Sequence, residues 1–301
     1  MRKSLAALLV MLGVFFLVLA FLSKFYAGYS LMRTPLDVDS TTRLAGTATL
    51  GSDREVPVKA TSIMRADSDK SDGRVIVWEN STCLVKDEGD PPNCVPSDDP
   101  EERLITASTD KFATDRKTGI AVEDRKYVSA DAGEHKGLLN KFPFQTEKQT
   151  YPYWDGTVGR ALNAVYKGTS TVDGLRTYRF SVQASDEPIG IVEGVDGTYT
   201  SRTTIYVEPL TGKIVDQTQA QSRLTSDGAP VLALKLAFTD AQVKENVKDA
   251  KSNISLLNVV RTTIPIVSLI LGLLLLIPGI LLWRHEDSSR PAVLLSKPKR
   301  Y

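Results

Sequence analysis

The chain has 301 residues, of which 42% are hydrophobic and 24% are charged, and its formal net charge is +1. The near-zero net charge and the lack of a basic block argue against nucleic acid as the main partner. The apolar residues are concentrated near the two ends of the sequence, which excludes an ordinary cytosolic protein.

The first apolar run covers residues 5–22 and has no polar side chain over 18 positions. As a helix that rises about 1.5 Å per residue, it spans roughly 27 Å, close to the thickness of the hydrocarbon core of a bilayer. A cleaved signal peptide is the alternative, but its apolar core is usually shorter, and cleavage after Ala27 would place Phe25 where a small residue is expected. We therefore predict a cytoplasmic N-terminus at residues 1–4 and an uncleaved transmembrane helix at residues 5–22.

The second apolar run lies near the C-terminus. Residues 264–283 contain a single polar side chain, Ser268, and they predict a second transmembrane helix at residues 263–283. A basic tail follows at residues 284–301. Its basic residues are Arg284, Arg290, Lys297, Lys299 and Arg300. Because Lys and Arg beside membrane helices are retained in the cytoplasm, we expect a two-pass plasma-membrane protein with both termini in the cytoplasm.

The region between the two runs, residues 23–238, is predicted to be extracytoplasmic and rich in β-strands. The segments with strand-like patterns are 42–50, 56–64, 74–78, 166–172, 175–184, 198–208, 213–221 and 229–238. The pair Asp173-Gly174 between two of them is typical of a tight hairpin turn. Strands at such short spacing predict a mainly antiparallel, barrel-like or curved sheet. The predicted fold class is an α+β membrane protein in which two terminal transmembrane helices flank this domain.

The two cysteines of the chain, Cys83 and Cys94, both fall in this region. A single even pair in an oxidising compartment predicts one disulfide. Free or metal-bound thiols are the alternative, but a second pair of closely spaced cysteines and a nearby histidine are missing. The acidic, proline-rich residues between Lys86 and Arg103 predict a solvated insertion that the disulfide holds.

Residues 239–262 predict an amphipathic stalk helix that leads into the second membrane run. Thr239 and Gln242 have the spacing of a capping box. The apolar residues that follow recur at helical spacing, and they are Val243, Val247, Ala250, Ile254 and Leu257. One interpretation is a helix packed on the sheet domain. The other is a coiled-coil partner helix, for which two heptads are short.

Motifs of known catalytic chemistry are missing from the sequence, so we predict a non-enzymatic protein without metal or cofactor. Residues 67–73 resemble a calcium loop only superficially, because the spacing of the acidic residues is off by one. His135 stands between Glu134 and Lys136 with glycines on either side, which predicts a position on the surface.

The most distinctive segment is 142–155, which holds five aromatic residues and two prolines. The aromatic residues are Phe142, Phe144, Tyr151, Tyr153 and Trp154. One interpretation is that these rings fill the core; the other is that they line an apolar groove for a ligand. We expect Trp154 in the core, because Asp155-Gly156 follows it as a turn. Phe142 and Phe144 are expected to be more exposed, because Pro143 holds them extended beside Lys141.

The order Phe-Pro-x-x-x-Glu-Lys-x-x-Tyr-Pro-Tyr-Trp-Asp in this segment, the stretch Thr41-Thr42-Arg43-Leu44-x-Gly46 and the two terminal membrane runs resemble an actinobacterial family of unknown function that is labelled PorA-like. The resemblance covers nearly the whole chain and implies a membrane protein of the cell envelope. The architecture is also similar to class B scavenger receptors, in which two terminal anchors flank a β-rich, tunnel-containing domain that handles lipids.

From these resemblances we expect an extracytoplasmic domain that binds or passes an apolar, lipid-like ligand, with the five aromatic residues as groove candidates. The alternatives are an envelope scaffold or assembly protein and a subunit of a porin-like channel oligomer. The expected partners are membrane lipids, envelope proteins and further copies of the chain, which would associate through the stalk and the membrane helices.

Overall fold

The structure, a computed structural model, describes residues 2–27, 30–129 and 132–287. Most of the predicted basic tail, from Ser288 to Tyr301, lies outside the described residues. Within the described residues the terminal helices form one compact unit, and Met32–Ile254 form a second.

The helices are α1 (Arg2–Leu22), α2 (Asp240–Asn258) and α3 (Ile264–Asp287). Short π-helical turns, Ser23–Ala27 and Val259–Thr263, follow α1 and precede α3. The strands are β1 (Asp39–Leu50), β2 (Val56–Asp67), β3 (Val75–Lys86), β4 (Leu104–Asp115), β5 (Tyr151–Asp155), β6 (Arg160–Val172), β7 (Leu175–Val192), β8 (Val195–Val207), β9 (Ile214–Thr225) and β10 (Pro230–Phe238).

Two helical stretches, Lys3–Ala27 and Asp240–Arg284, are long and apolar enough to cross a membrane by their length and composition. Within the helical unit, α1 and α3 pack at glycines. A Cβ atom on Gly13 would lie 2.8 Å from Leu276, and one on Gly272 would lie 2.8 Å from Leu17. Because lipid tails are as apolar as the side chains of such helices, close approach at small residues is a main source of their association.

The ten strands form one sheet in the order β4-β3-β2-β1-β10-β9-β8-β7-β6-β5, and every pair of neighbouring strands is antiparallel. The prediction of a large, curved, antiparallel sheet is confirmed, and each of the eight predicted segments overlaps one of its strands. The sequence patterns missed β4 and β5. These two strands are the edges of the sheet.

The two edges of the sheet are joined at one end by backbone hydrogen bonds. The amide of Asp115 in β4 donates to Ile120 at 2.9 Å, and the amide of Ala121 donates to Gly137 at 2.8 Å. The amide of Leu138 then donates to Pro152 in β5 at 2.7 Å. Two short segments thus connect β4 to β5 through hydrogen bonds. The sheet curls so that one of its faces, called the inner face, is enclosed.

The inner face of the curl is packed with apolar side chains. Phe180 in β7 and Ile205 in β8 lie directly opposite each other, and both are fully buried. The outer face of the same strands is covered in part by α2. Val247 and Ala250 of the predicted stripe pack there against Leu175, which completes the hydrophobic contact between the helix and the sheet.

The insertion between β3 and β4 is held by the predicted disulfide, which joins Cys83 to Cys94. Val95 is buried beside Cys83, and the buried carboxylate of Asp99 pairs with Arg103 at 2.6 Å. On the loop-entropy model, a disulfide that closes so short a loop stabilises the folded chain by about 2–3 kcal/mol.

The aromatic segment as the candidate functional site

The aromatic segment docks on the turn between β8 and β9 through its backbone. The amide of Phe142 donates to the carbonyl of Gly212 at 2.9 Å, and the amide of Thr146 donates to the carbonyl of Pro209 at 2.7 Å. Gly212 has φ of +72°, and a Cβ atom there would lie 2.0 Å from the carbonyl oxygen of Phe142. The turn therefore needs glycine for its conformation and for the approach of the segment.

The side chain of Glu208 stabilises this turn. It is buried, and its carboxylate accepts hydrogen bonds from the amide of Leu210 at 2.9 Å and from the amide and hydroxyl of Thr211 at 2.8 and 2.6 Å. A carboxylate that accepts several hydrogen bonds fixes the backbone around it. The turn to which the aromatic segment docks is thus stabilised by hydrogen bonds of its own.

Phe142 lies at the centre of a cluster of rings on the inner face of the sheet. Its ring centroid is 4.6 Å from that of Phe180, 5.5 Å from that of Tyr151 and 5.9 Å from that of Tyr153. None of its surface is exposed. The expectation that Phe142 is exposed is wrong, because the backbone pairing with Gly212 draws the residue over the buried face of β7.

Phe144 differs from Phe142 in its surroundings. It is half-buried, and the ammonium nitrogen of Lys141 lies 3.5 Å from the centre of its ring. The same nitrogen is 3.4 Å from the hydroxyl of Thr34. Burial of the ammonium group lowers the pKa of Lys141 to about 7, and the negative charge of Asp115 offsets only part of that effect.

Trp154 lies on the other side of the ring cluster and is half-buried rather than a full member of the core. Its ring is 5.1 Å from the ring of His135, which is also 5.5 Å from Phe112. The Nε2 atom of His135 lies 2.9 Å from a carboxylate oxygen of Asp110. His135 is 4% exposed, so the prediction of a surface position is wrong. The imidazole fills the space between edge strands β4 and β5. The prediction failed because this contact joins residues far apart in the sequence, and the residues next to His135 do not indicate it.

The hydroxyl groups of the two tyrosines have different environments. The hydroxyl of Tyr151 accepts a hydrogen bond from the amide of Glu147 at 2.8 Å. Burial raises the pKa of Tyr153 to about 12, and the neighbouring charge of Asp155 adds to this effect. The hydroxyl of Tyr153 therefore stays protonated and neutral at physiological pH, which suits its position in an apolar cluster.

The structure thus divides the five groove candidates into two sets. Phe142, Tyr151 and Tyr153 form one packed cluster with Phe180. Tyr153 is partly exposed but packs against this core, whereas Phe144 and Trp154 are partly exposed and lie outside the cluster. A groove for an apolar ligand stays a prediction, and these last two rings are the ones able to contact a ligand without opening the core.

Two comparisons place the chain among known proteins. A family model described as Porin PorA matches residues 5–281. The chain is also similar to a protein named Porin PorA from Corynebacterium amycolatum, with 26% identity over 124 residues. That similarity covers 37% of this chain and 30% of the length of the relative.

Proposed function

Because the chain belongs to the Porin PorA family, we propose that it is a non-enzymatic membrane protein of the cell envelope that acts as one subunit of a porin-like channel. The relative named Porin PorA supports this proposal. The observation that carries it is the match to the family over residues 5–281, which takes in most of both apolar helices and the whole sheet domain.

The proposal includes a two-pass topology in which both termini lie in the cytoplasm and residues 23–238 lie outside. The disulfide between Cys83 and Cys94 supports an oxidising compartment for the sheet domain. The close packing of Gly13 and Gly272 supports retention of α1 after synthesis, because a signal peptide that is removed has no need of a specific partner helix.

Several copies are needed for conduction under this proposal. Two helices in direct contact enclose no channel between them. The inner face of the sheet is filled by side chains such as Phe142, Phe180 and Ile205, which are fully buried. The proposal therefore places the conducting path between several copies, which associate through the exposed apolar faces of α1 and α3. The side chains available on those faces include Phe15, Phe21, Leu274 and Leu281.

Binding of an apolar ligand by the sheet domain is the second candidate. The half-buried rings of Phe144 and Trp154 favour it, because a ligand could cover their remaining exposed surface. An envelope scaffold would use the same exposed helix faces as the channel subunit. Lipid that co-purifies with a chain that does not conduct would favour ligand binding over the channel.

We expect the full chain to produce discrete conductance steps after reconstitution into planar lipid bilayers. Gly272→Leu should abolish the steps, because the larger side chain forces α1 and α3 apart. Gly190→Leu in β7 is the matched control, because a Cβ atom there would meet nothing within 4 Å, and we expect conductance to persist. Bilayers that stay silent with well-folded protein at high concentration would contradict the channel proposal.

The two-pass topology predicts which engineered cysteines an impermeant maleimide reaches in intact cells. A probe at Asp173→Cys, in the turn between β6 and β7, should be labelled from outside. A probe at Ser296→Cys, in the basic tail, should react only after the membrane is permeabilised. Labelling of the tail in intact cells would contradict the orientation, and a mature chain that lacks residues 5–22 would contradict the first anchor.

A further inference from the structure

We infer that the outer face of the sheet binds a phosphorylated carbohydrate, with Arg202 and Lys235 holding the phosphate and the surrounding hydroxyl groups holding the sugar. This inference does not depend on the channel proposal. It rests on a cavity, on the register of five strands and on the charges of the residues that line the cavity.

The cavity lies on the outer face of β7, β8, β9, β10 and β1, on the side of the sheet opposite the aromatic cluster. Its larger lobe has a volume of about 590 Å³ and its neighbouring lobe about 390 Å³. Both lobes are lined by Thr47, Arg202, Ala220 and Lys235. A site of this size accommodates a ligand of one or two sugar rings.

Small side chains create the depth of the cavity. The alanines of its floor are Ala45, Ala220, Ala233 and Ala237. The backbones of β1 and β10 also approach closely at Gly46, where a Cβ atom would lie 1.8 Å from the carbonyl oxygen of Lys235. The four alanines on the outer face thus leave a concave surface where larger side chains would leave a flat one.

The strand register places the two basic residues in one row across the sheet. Arg202 pairs with Ala220, and Ala220 pairs with Lys235. The row continues to Thr47 on one side and Gln183 on the other. Two strand spacings separate the two basic residues, or roughly 9.6 Å, so their long side chains can meet over Ala220.

The charges in this row are not neutralised by the protein. Arg202 and Lys235 are exposed, and neither forms an ion pair with any residue in the described part of the chain. Two acidic side chains lie beside the row: Glu55 accepts a hydrogen bond from Thr47, the residue paired with Lys235, and Asp186 accepts one from Thr200 at 2.9 Å. Neither is ion-paired with Arg202 or Lys235, so these two positive charges stay available to attract an anion.

The remaining lining residues are suited to a polyhydroxylated ligand. The hydroxyl and amide side chains on this face are Thr47, Thr49, Gln183, Ser185, Thr200 and Ser222. Each can donate and accept hydrogen bonds, as a sugar does. The lining residues given by the structure include no aromatic side chain, which disfavours a nucleobase. Arg and Lys together are a frequent phosphate-binding pair.

The test is binding of glucose 1-phosphate to the full chain in detergent, measured by isothermal titration calorimetry at low salt. Glucose is the neutral control. We expect glucose 1-phosphate to bind and glucose to bind far more weakly. Arg202→Gln and Lys235→Gln should each weaken the affinity roughly ten- to a hundredfold, since each removes a charged partner of the phosphate. Ala220→Leu should abolish binding by filling the centre of the row.

Lys167→Gln is the matched control, because Lys167 is an exposed cation on β6 that does not line the cavity. It should leave the affinity unchanged, and none of the four variants should change the melting temperature, because all of these side chains are exposed. Equal binding of glucose and glucose 1-phosphate, or unchanged affinity in the double variant of Arg202 and Lys235, would overturn the inference.

A second arm distinguishes a soluble ligand from a lipid headgroup. Short-chain phosphatidylinositol replaces glucose 1-phosphate as the probe, with short-chain phosphatidylcholine as its control. Tighter binding of phosphatidylinositol that is lost in the double variant identifies a headgroup site, and tighter binding of glucose 1-phosphate identifies a soluble ligand. Failure of both phosphorylated probes to bind the wild-type chain would overturn the inference even if the chain conducts.

Discussion

Phe142→Ala is expected to lower the free energy of unfolding of the sheet domain by about 3–5 kcal/mol. Phe142 has no exposed surface, and its ring contacts those of Phe180, Tyr151 and Tyr153. The truncation removes buried apolar area and leaves a cavity. The cavity cannot collapse, because hydrogen bonds hold the backbone of the aromatic segment against the turn between β8 and β9. Denaturant unfolding of the full chain in detergent, followed by tryptophan fluorescence, measures the loss.

Phe144→Ala is the matched control for Phe142→Ala, since the two residues flank the same proline. Phe144 is half-buried, and its main polar contact is with Lys141, so we expect a loss of about 1 kcal/mol. If Phe144 also contacts an apolar ligand, this variant should lose co-purified lipid in native mass spectrometry while it stays folded. Equal and small losses in the two variants would show that Phe142 is not part of a packed core.

The second large effect is expected from Gly212→Ala, for which we predict a loss of about 2–5 kcal/mol. An alanine at φ of +72° is strained by about 1–2 kcal/mol. Its Cβ atom would also lie 2.0 Å from the carbonyl oxygen of Phe142, and overpacking of this kind adds about 1–3 kcal/mol. The segment can relieve the clash only by breaking its hydrogen bond to the turn.

Gly228→Ala separates the two contributions. Gly228 has a similar φ, +84°, but a Cβ atom there would meet nothing within 4 Å. This variant should therefore show the conformational strain alone, about 1–2 kcal/mol. The difference between the two variants, measured by denaturant unfolding, gives the contribution of the docked segment. A difference of zero would contradict the close approach of Phe142 to the turn.

The sequence patterns located eight of the ten strands but missed both edges of the sheet. Alternation of polar and apolar residues marks a strand that has one face buried and the other in water. β5 carries Pro152, and four consecutive residues in the first half of β4, Thr106 to Thr109, are exposed, so neither has that alternation. Edge strands commonly contain prolines and charges, since one side of an edge strand needs no partner.

The composition of the sequence located the candidate site but did not predict how its side chains are arranged. A density of rings between residues 142 and 155 is visible in the sequence. Which ring is buried depends on the hydrogen bond between Phe142 and Gly212, two residues that are 70 positions apart in the chain. His135 is a similar case, because its contacts with Asp110 in β4 and Trp154 in β5 require the two edges of the sheet to lie side by side.

The sequence by itself determined the two apolar helices, the pairing of Cys83 with Cys94 and most of the strands. Each of these follows from the local composition or from a count that allows only one partner. The tertiary structure alone decided the burial of Phe142 and the row that joins Arg202 to Lys235. The burial of Phe142 depends on its contact with Gly212, which is distant in the sequence. The row depends on strand register, because a shift of one residue would turn every side chain of a strand to the opposite face.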